Sequence, residues 1–271
     1  MGNQLIETFE DGVATLTMNR PDARNALTSE MQMGLSEALP RLAADRKVRA
    51  VVVTGAGGAF CAGGDVKGFA ERTSRPGGGD GANEFDIEQR AHGLRASADI
   101  SRVLHEMPKP TLAVIPGPAA GAGLSIALAC DLRIAAVDAK LTTAFSKVGL
   151  SGDYGGSYFL TQLVGAAKVR ELYFSADVIT GEEALRLGIV NRVASREDIE
   201  AAGKAWAREL AALPTVAVGY MKRNLNAAET GTLSEVLDIE SFNMVRTMTT
   251  SDHRDASAAF VAKRKPVFQG R

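Results

Sequence analysis

The chain has 271 residues, 45% of them hydrophobic and 23% charged, with a net charge of −1. This is an ordinary globular composition, with room for one large domain or a main domain and a smaller appendage. It lacks the basic excess of a nucleic-acid footprint, and no apolar run reaches the roughly 18 residues that span a bilayer.

The opening "MGNQLIETFEDG" has neither the basic-then-apolar order of a signal peptide nor the Ser or Thr of a myristoylation signal. A cytoplasmic protein without membrane or nucleic-acid partners is expected. Cys61 and Cys130 lack metal-ligand spacing, so they read as reduced, buried thiols.

"LIETF", "EDG" and "VATLTMN" read as strand, turn and strand. Residues 29–44 have the apolar spacing of an amphipathic helix, with Thr28 as its N-cap. "VRAVVVTG" is a short, wholly apolar strand of the kind buried on both faces. The Gly-rich 75–82 segment predicts a mobile surface loop. One long helix follows over 84–106, ended by "MPKP". "TLAVIPG" predicts a second buried strand, 124–129 a buried helix and "DLRIAAV" another strand. From about Thr180 the pattern is mostly helical. Strands alternating with helices, then a helical tail, predict a layered α/β domain without internal repeats.

Three motifs compete for the chemistry. "GLSIA" departs from the nucleophile elbow G-x-S-x-G only at its last position. A hydrolase of that kind needs an acid and a histidine further along the chain. Of His92, His105 and His253, only His253 follows Ser125, and it sits in the charged run "TSDHRDAS", which reads as a solvated helix start. Ser125 therefore reads better as a helix residue bonding locally to backbone. "GAGGAF" breaks the dinucleotide fingerprint at Phe60, and no phosphate-cradling G-x-x-x-x-G-K-[ST] occurs. What remains is a pair of Gly-rich strand exits, "VVVTGAGGAFCAGGDVKGF" and "LAVIPGPAAGAGLSIALACD". Small residues allow close backbone approach, and helix starts carry unpaired N–H groups. Two such exits side by side can aim two amides at one oxygen as an oxyanion hole.

These stretches resemble the enoyl-CoA hydratase/isomerase (crotonase) family over almost the whole chain. "MNRPDARNALT" is similar to the family's CoA-contacting turn, and "FCAGGDVKGF" to its A-G-[A/G]-D signature. "KPTLAVIPGPAAGAGLSIALACDLRIA", "ITGEEALRLGIVNRV" and "FVAKRKPVFQG" match three further family segments in order. The resemblance implies an α/β fold, a crotonase-like spiral of ββα units with a helical C-terminal trimerisation region. It implies a core over 1–195 and an oligomerisation region over 196–271, assembled as a homotrimer or a dimer of trimers. It also implies an acyl-CoA thioester substrate whose enolate is held by the amides of Gly64 and Ala122, with no metal and no cofactor beyond the CoA of the substrate. Arg24, Ala62, Asp65 and Val66 match CoA-contacting positions. Phe260 and Lys263 match a tail that reaches a neighbouring subunit's CoA.

The sequence departs from the family where the two glutamates of its hydratases stand. Ser125 and Phe145 occupy those positions. Neither serves as a carboxylate base. The acid left in that segment is Asp153, in "GLSGDYGGS", which resembles the isomerase-like and dehalogenase-like branches. A lone carboxylate suits a proton moved from carbon to carbon, or nucleophilic attack. The dehalogenase-like branch carries tryptophan where Phe145 stands. The bland alternative makes Asp153 a turn residue capping the next helix. Three functions stay open: an enoyl-CoA isomerase using Asp153, a hydratase with a non-standard acid/base set, and a CoA-binding or scaffold protein without catalysis.

Overall fold

A computed structural model describes residues 4–64 and 84–271, with the side chains of 84–86 excepted. The expected 75–82 loop, Asp65 and Val66 lie outside the described residues.

The strands predicted from apolar runs form one sheet. β1 (Leu5–Glu10) pairs antiparallel with β2 (Val13–Met18) across the Asp11–Gly12 turn. β3 (Ala50–Gly55), β4 (Thr111–Ile115), β6 (Leu132–Ala136) and β9 (Arg192–Ala194) then continue in parallel, in the order β1-β2-β3-β4-β6-β9. The middle strands are buried on both faces, which is why they are mostly Val, Ile, Leu and Ala, with Arg133 of β6 the buried charge among them. β9 falls in the stretch expected to be mostly helical. At three residues it is too short to show a period.

A second layer is made of β5 (Ala119–Ala120), β7 (Lys140–Thr142) and β8 (Ile179–Thr180). Two single-residue bridges extend it, Cys61 to Ala119 and Leu27 to Gly64. The chain thus visits the large sheet, then the small layer, then a helix, and repeats. Each turn of this spiral lays one segment of the small layer beside the last.

Helix α1 (Ser29–Ala44) starts as expected, with Thr28 Oγ1 accepting from Met31 N at 3.2 Å. The single helix expected over 84–106 is two, α2 (Glu84–Ser97) and α3 (Asp99–Glu106), which meet at Ala98. The cause is amphipathicity: α2 has no apolar face and leaves even Ile87 and Leu94 exposed, whereas α3 buries Ile100, Ser101 and Leu104. The expected 124–129 helix, α4, runs over Ala122–Leu128 and is buried throughout. Helices α5 (Gly156–Ser175) and α6 (Gly181–Arg186) follow.

Helix α7 (Ile199–Ala211) covers the large sheet with Trp206, Ala207 and Leu210. It sits so close that a Cβ on Gly203 would lie 2.7 Å from Val114 Cγ2. Helix α8 (Thr215–Ala228) is fastened to the core by buried Lys222. Lys222 Nζ donates to Leu104 O at 2.7 Å and pairs with Asp131 at 2.8 Å, and Asp131 also accepts from Thr111 N. Helices α9 (Leu233–Met248) and α10 (Ser251–Val261) complete the chain. α10 begins beside His253, which is exposed, in line with the solvated helix start.

Candidate active site

The two Gly-rich strand exits lie side by side, as expected of an oxyanion hole. Ala120 N donates to Cys61 O at 2.9 Å, and Leu27 N to Gly63 O at 2.8 Å. Small residues are required here. A Cβ on Gly123 would sit 2.4 Å from Cys61 O, and one on Gly63 would sit 2.7 Å from Ala120 O. Among the described residues, neither Gly64 N nor Ala122 N donates to a protein acceptor. Ala122 is the first residue of buried α4, so its amide is one of the donors that a helix start leaves without a partner.

Beside this pair, the 20–26 turn is clamped onto the first exit. Asn25 is fully buried, and its Nδ2 donates to Ala56 O at 2.9 Å and Ala59 O at 2.8 Å. Arg24 takes a left-handed conformation (φ 49°) with its side chain exposed, and its carbonyl accepts from Ala62 N at 2.9 Å. Arg24 and Ala62 are therefore brought next to Gly64. Phe260 and Lys263 are not gathered with them. Phe260 is 86% exposed and lines a surface hollow with Ser257 and Arg264, and Lys263 is also exposed.

On the other side of α4, Phe145, Asp153 and Tyr173 converge. Phe145 is buried and stacks on Tyr173, with centroids 5.9 Å apart and planes at 20°. A Cβ on Gly121 would lie 3.7 Å from the Phe145 ring. A Cβ on Gly156 would lie 2.3 Å from Ser125 Oγ and 2.8 Å from the Tyr173 hydroxyl, so both hydroxyls face the same point. Ser125 Oγ donates to Gly121 O at 3.2 Å, the local backbone bond expected of it.

Asp153 does not cap α5. Gly155 is the N-cap, with no side-chain cap bond, and only the Asp153 carbonyl bonds forward, to Gly156 N. Asp153 Oδ1 is buried without a hydrogen-bond partner among the described residues. Burial alone raises the carboxyl from its ordinary 3.8 to about 6. Burial and the neighbouring Asp153 charge push the Tyr173 hydroxyl up to about 12, so it stays a neutral donor at physiological pH. Sequence reasoning missed Tyr173. It stands 20 residues beyond Asp153 in a helix whose glycine-broken apolar pattern marks no functional face.

A hollow of about 730 Å³ among the described residues lies elsewhere, between β1–β3 and α7. Its charged lining residues Glu10, Glu200, Lys204 and Arg208 are exposed, so the half-buried, perturbed carboxyl of Asp153 locates the chemistry better than volume does. No helix among the described residues is long and apolar enough to cross a membrane.

Residues 8–271 match the family described as Enoyl-CoA hydratase/isomerase. The chain is 36% identical over 267 residues to a 1,2-epoxyphenylacetyl-CoA isomerase of Escherichia coli (strain K12), with 98% of each chain covered. It is 33% identical over 264 residues to a short-chain-enoyl-CoA hydratase of Clostridium acetobutylicum, covering 97% of this chain and 96% of the relative. The crystal structure of an enoyl-CoA hydratase from Polaromonas sp. JS666 superposes with a TM-score of 0.87 at 34% identity, covering 97% of this chain and 99% of that one.

Proposed function

The chain belongs to the enoyl-CoA hydratase/isomerase family, and from that premise we propose that this acyl-CoA enzyme is an isomerase in which Asp153 carries a proton from one acyl carbon to another. The observation that carries this reading is the half-buried Asp153 carboxyl, whose Oδ1 is sealed from solvent without a partner among the described residues and which burial raises to about 6, where no second carboxylate stands at position 125 or 145. Such a group is mostly ionised at neutral pH yet basic enough to accept a proton.

The thioester carbonyl oxygen accepts from Gly64 N and Ala122 N. Asp153 removes a proton from the α-carbon, and the electron pair moves onto the carbonyl oxygen as an enolate. The protonated Asp153 returns the same proton at the γ-carbon, the electrons move back, and the double bond shifts from 3,4 to 2,3. Protons balance without a co-reactant, and no cofactor enters beyond the CoA of the substrate. The two amides act where charge develops, and loss of one such donor typically costs about 10²–10³ in rate. The Escherichia coli relative is named an isomerase and the Clostridium acetobutylicum relative a hydratase, so the choice of isomerisation rests on positions 125, 145 and 153 of this chain. The substitutions at 125 and 145 also weigh against the two-carboxylate handling of water. Arg24, Ala62, Asp65 and Val66 hold the CoA moiety, with Phe260 and Lys263 serving a neighbouring subunit's CoA.

The decisive assay incubates the protein with a 3-enoyl-CoA and, separately, a 2-enoyl-CoA. Interconversion of the two is expected. Rapid hydration of 2-enoyl-CoA without any double-bond shift overturns the isomerase reading, and binding without turnover points to a non-catalytic CoA protein. In a complex structure, the thioester oxygen is expected within about 3.5 Å of both Gly64 N and Ala122 N. A carbonyl beyond that distance from both nitrogens rules out the proposed hole.

Assembly belongs to the same proposal. Leu233, Leu237, Met244 and Met248 fall on one side of α9 at helical spacing and are each about half exposed or more, an apolar stripe of the kind that a partner covers. We expect a homotrimer or a dimer of trimers, with light scattering giving three or six times the 28.5 kDa chain mass. A stable monomer at micromolar concentration contradicts it.

A further inference from the structure

The last helix and the segment after it form an arm that is fastened at its root. Helix α10 ends at Val261, and its last turn is closed by Lys263 N donating to Phe260 O and Arg264 N to Ala259 O, with Lys263 in the left-handed region at φ 53°. The chain then runs back along the helix. Gln269 N and Gly270 N donate to the two carboxylate oxygens of Asp252 at 2.7 and 2.8 Å, and Asp252 N and Ser251 Oγ donate to Arg271 O. Asp252 stands in the first turn of α10 and is only 2% exposed. The stretch 264–268 is thereby tied at one end to the last turn of α10 and at the other to the first.

The root is also fixed to the body of the fold. Arg49 Nη1 donates to Phe268 O at 2.8 Å, while Nη2 and Nε donate to Leu213 O at 2.7 Å and Thr215 Oγ1 at 3.1 Å, where α7 passes into α8. Arg49 immediately precedes β3, and it is the far end of β3 that leads to Gly64. The strand alone puts about 17 Å between this root and the start of that exit. At the other end of the arm, Phe260 and Val261 are 86% and 83% exposed. Lys263, Arg264 and Lys265 are exposed beside them and form no ion pair among the described residues. The arm thus roots far from its own oxyanion pair and holds an apolar side chain and free cations out to solvent, as service to a neighbouring subunit requires.

We infer that Asp252 is a positioning residue for CoA: by closing the arm on itself, it fixes where Phe260 and Lys263 are presented to the neighbouring subunit. The inference rests on the reading that those two residues serve that subunit's CoA. A tail tied at one end only must be ordered when the ligand binds, and the entropy lost then is taken from affinity. The Asp252 clasp makes that ordering part of folding. Its charge matters, because a carboxylate accepts both amides in charge-assisted bonds. An asparagine in its place accepts one and turns an N–H towards the other donor. Asp252 acts on the part of the substrate that does not react, so its effect falls on binding and is equal in the ground and transition states.

The test reads CoA binding by calorimetry, so it does not depend on whether Asp153 shifts a double bond. Asp252→Asn should weaken CoA about tenfold, and KM for a 3-enoyl-CoA should rise by the same factor with kcat within about threefold. The paired variant Phe260→Ala with Lys263→Ala, which removes the tip, should also weaken CoA. Adding Asp252→Asn to that pair should weaken it little further, because the clasp acts through the tip. Gln269→Pro opens the same clasp from an exposed position, by removing the amide that meets Asp252 Oδ1, and takes the place of Asp252→Asn if that variant does not fold or assemble like the parent. A clasp that serves stability alone lowers the melting temperature and leaves CoA affinity unchanged. That result, with the tip variant weakened, overturns the inference and leaves the neighbouring-subunit reading standing, and so do fully additive losses. If the tip variant binds CoA as the parent does, that reading falls and the inference falls with it.

Discussion

Asp153→Asn lowers turnover of a 3-enoyl-CoA by about 10²–10⁴, the range that general acid–base catalysis contributes. It leaves thioester affinity within about threefold, because the lost group acts mainly in the transition state. Asparagine keeps the shape and cannot take the α-proton. In the parent, kcat/KM should climb with pH through about 6 and level off above it, since the carboxylate is the active form and burial places its ionisation there. Stability gives a second readout of opposite sign. Burial raises the folded-state value from 3.8 to about 6, so between those values the folded state binds more protons than the unfolded chain. The contribution of Asp153 to stability is fully present below about 3.8, falls as pH rises through that window, and is lost above about 6. The Asn variant, with no charge to bury, should therefore melt at a higher temperature than the parent at pH 8, and the gap should close toward pH 4. A variant that turns over substrate as fast as the parent makes Asp153 a turn residue.

Gly123→Ala should lower turnover by about 10² without touching any group that contacts substrate, the scale expected when reacting groups are misplaced by about 1 Å. The added methyl would stand 2.4 Å from Cys61 O and 2.6 Å from Cys61 Cβ. Neither can yield easily, because Cys61 is fully buried and its carbonyl is held by Ala120 N. The first turn of α4 must then back away from the 61–64 strand, and Ala122 N separates from Gly64 N. Overpacking of this kind also costs about 1–3 kcal/mol of stability. Gly93→Ala is the control. A Cβ there meets nothing within 4 Å in exposed α2, so activity should not change and the helix should gain. Full activity in Gly123→Ala would mean that the two exits need not be held as close as they are here.

What the amino-acid sequence determined by itself is local. The short, β-branched runs of β3 and β4 read as strands buried on both faces, because Val and Ile favour the extended chain and a sheet covered on both sides leaves no polar face. Thr28 capped its helix because a hydroxyl before an amphipathic run meets the free amides of the first turn. The glycines of the two strand exits marked where backbone approaches backbone, and Ser125 bonded within its own helix. The tertiary structure decided whatever depends on distant segments meeting. The spiral was invisible as a repeat because its turns are joined by pairs as small as Cys61–Ala119 and Leu27–Gly64, which need no repeated residues. β9 was lost because three residues carry no period, and the break at Ala98 because only packing buries α3 and leaves α2 outside. The surroundings of Asp153 were decided in the same way. Its place in the chain was readable, but its partial burial, the lack of a partner for Oδ1 among the described residues, and the arrival of Tyr173 from α5 come from packing. An ionisation constant responds to everything within a few ångströms, whatever its distance along the chain.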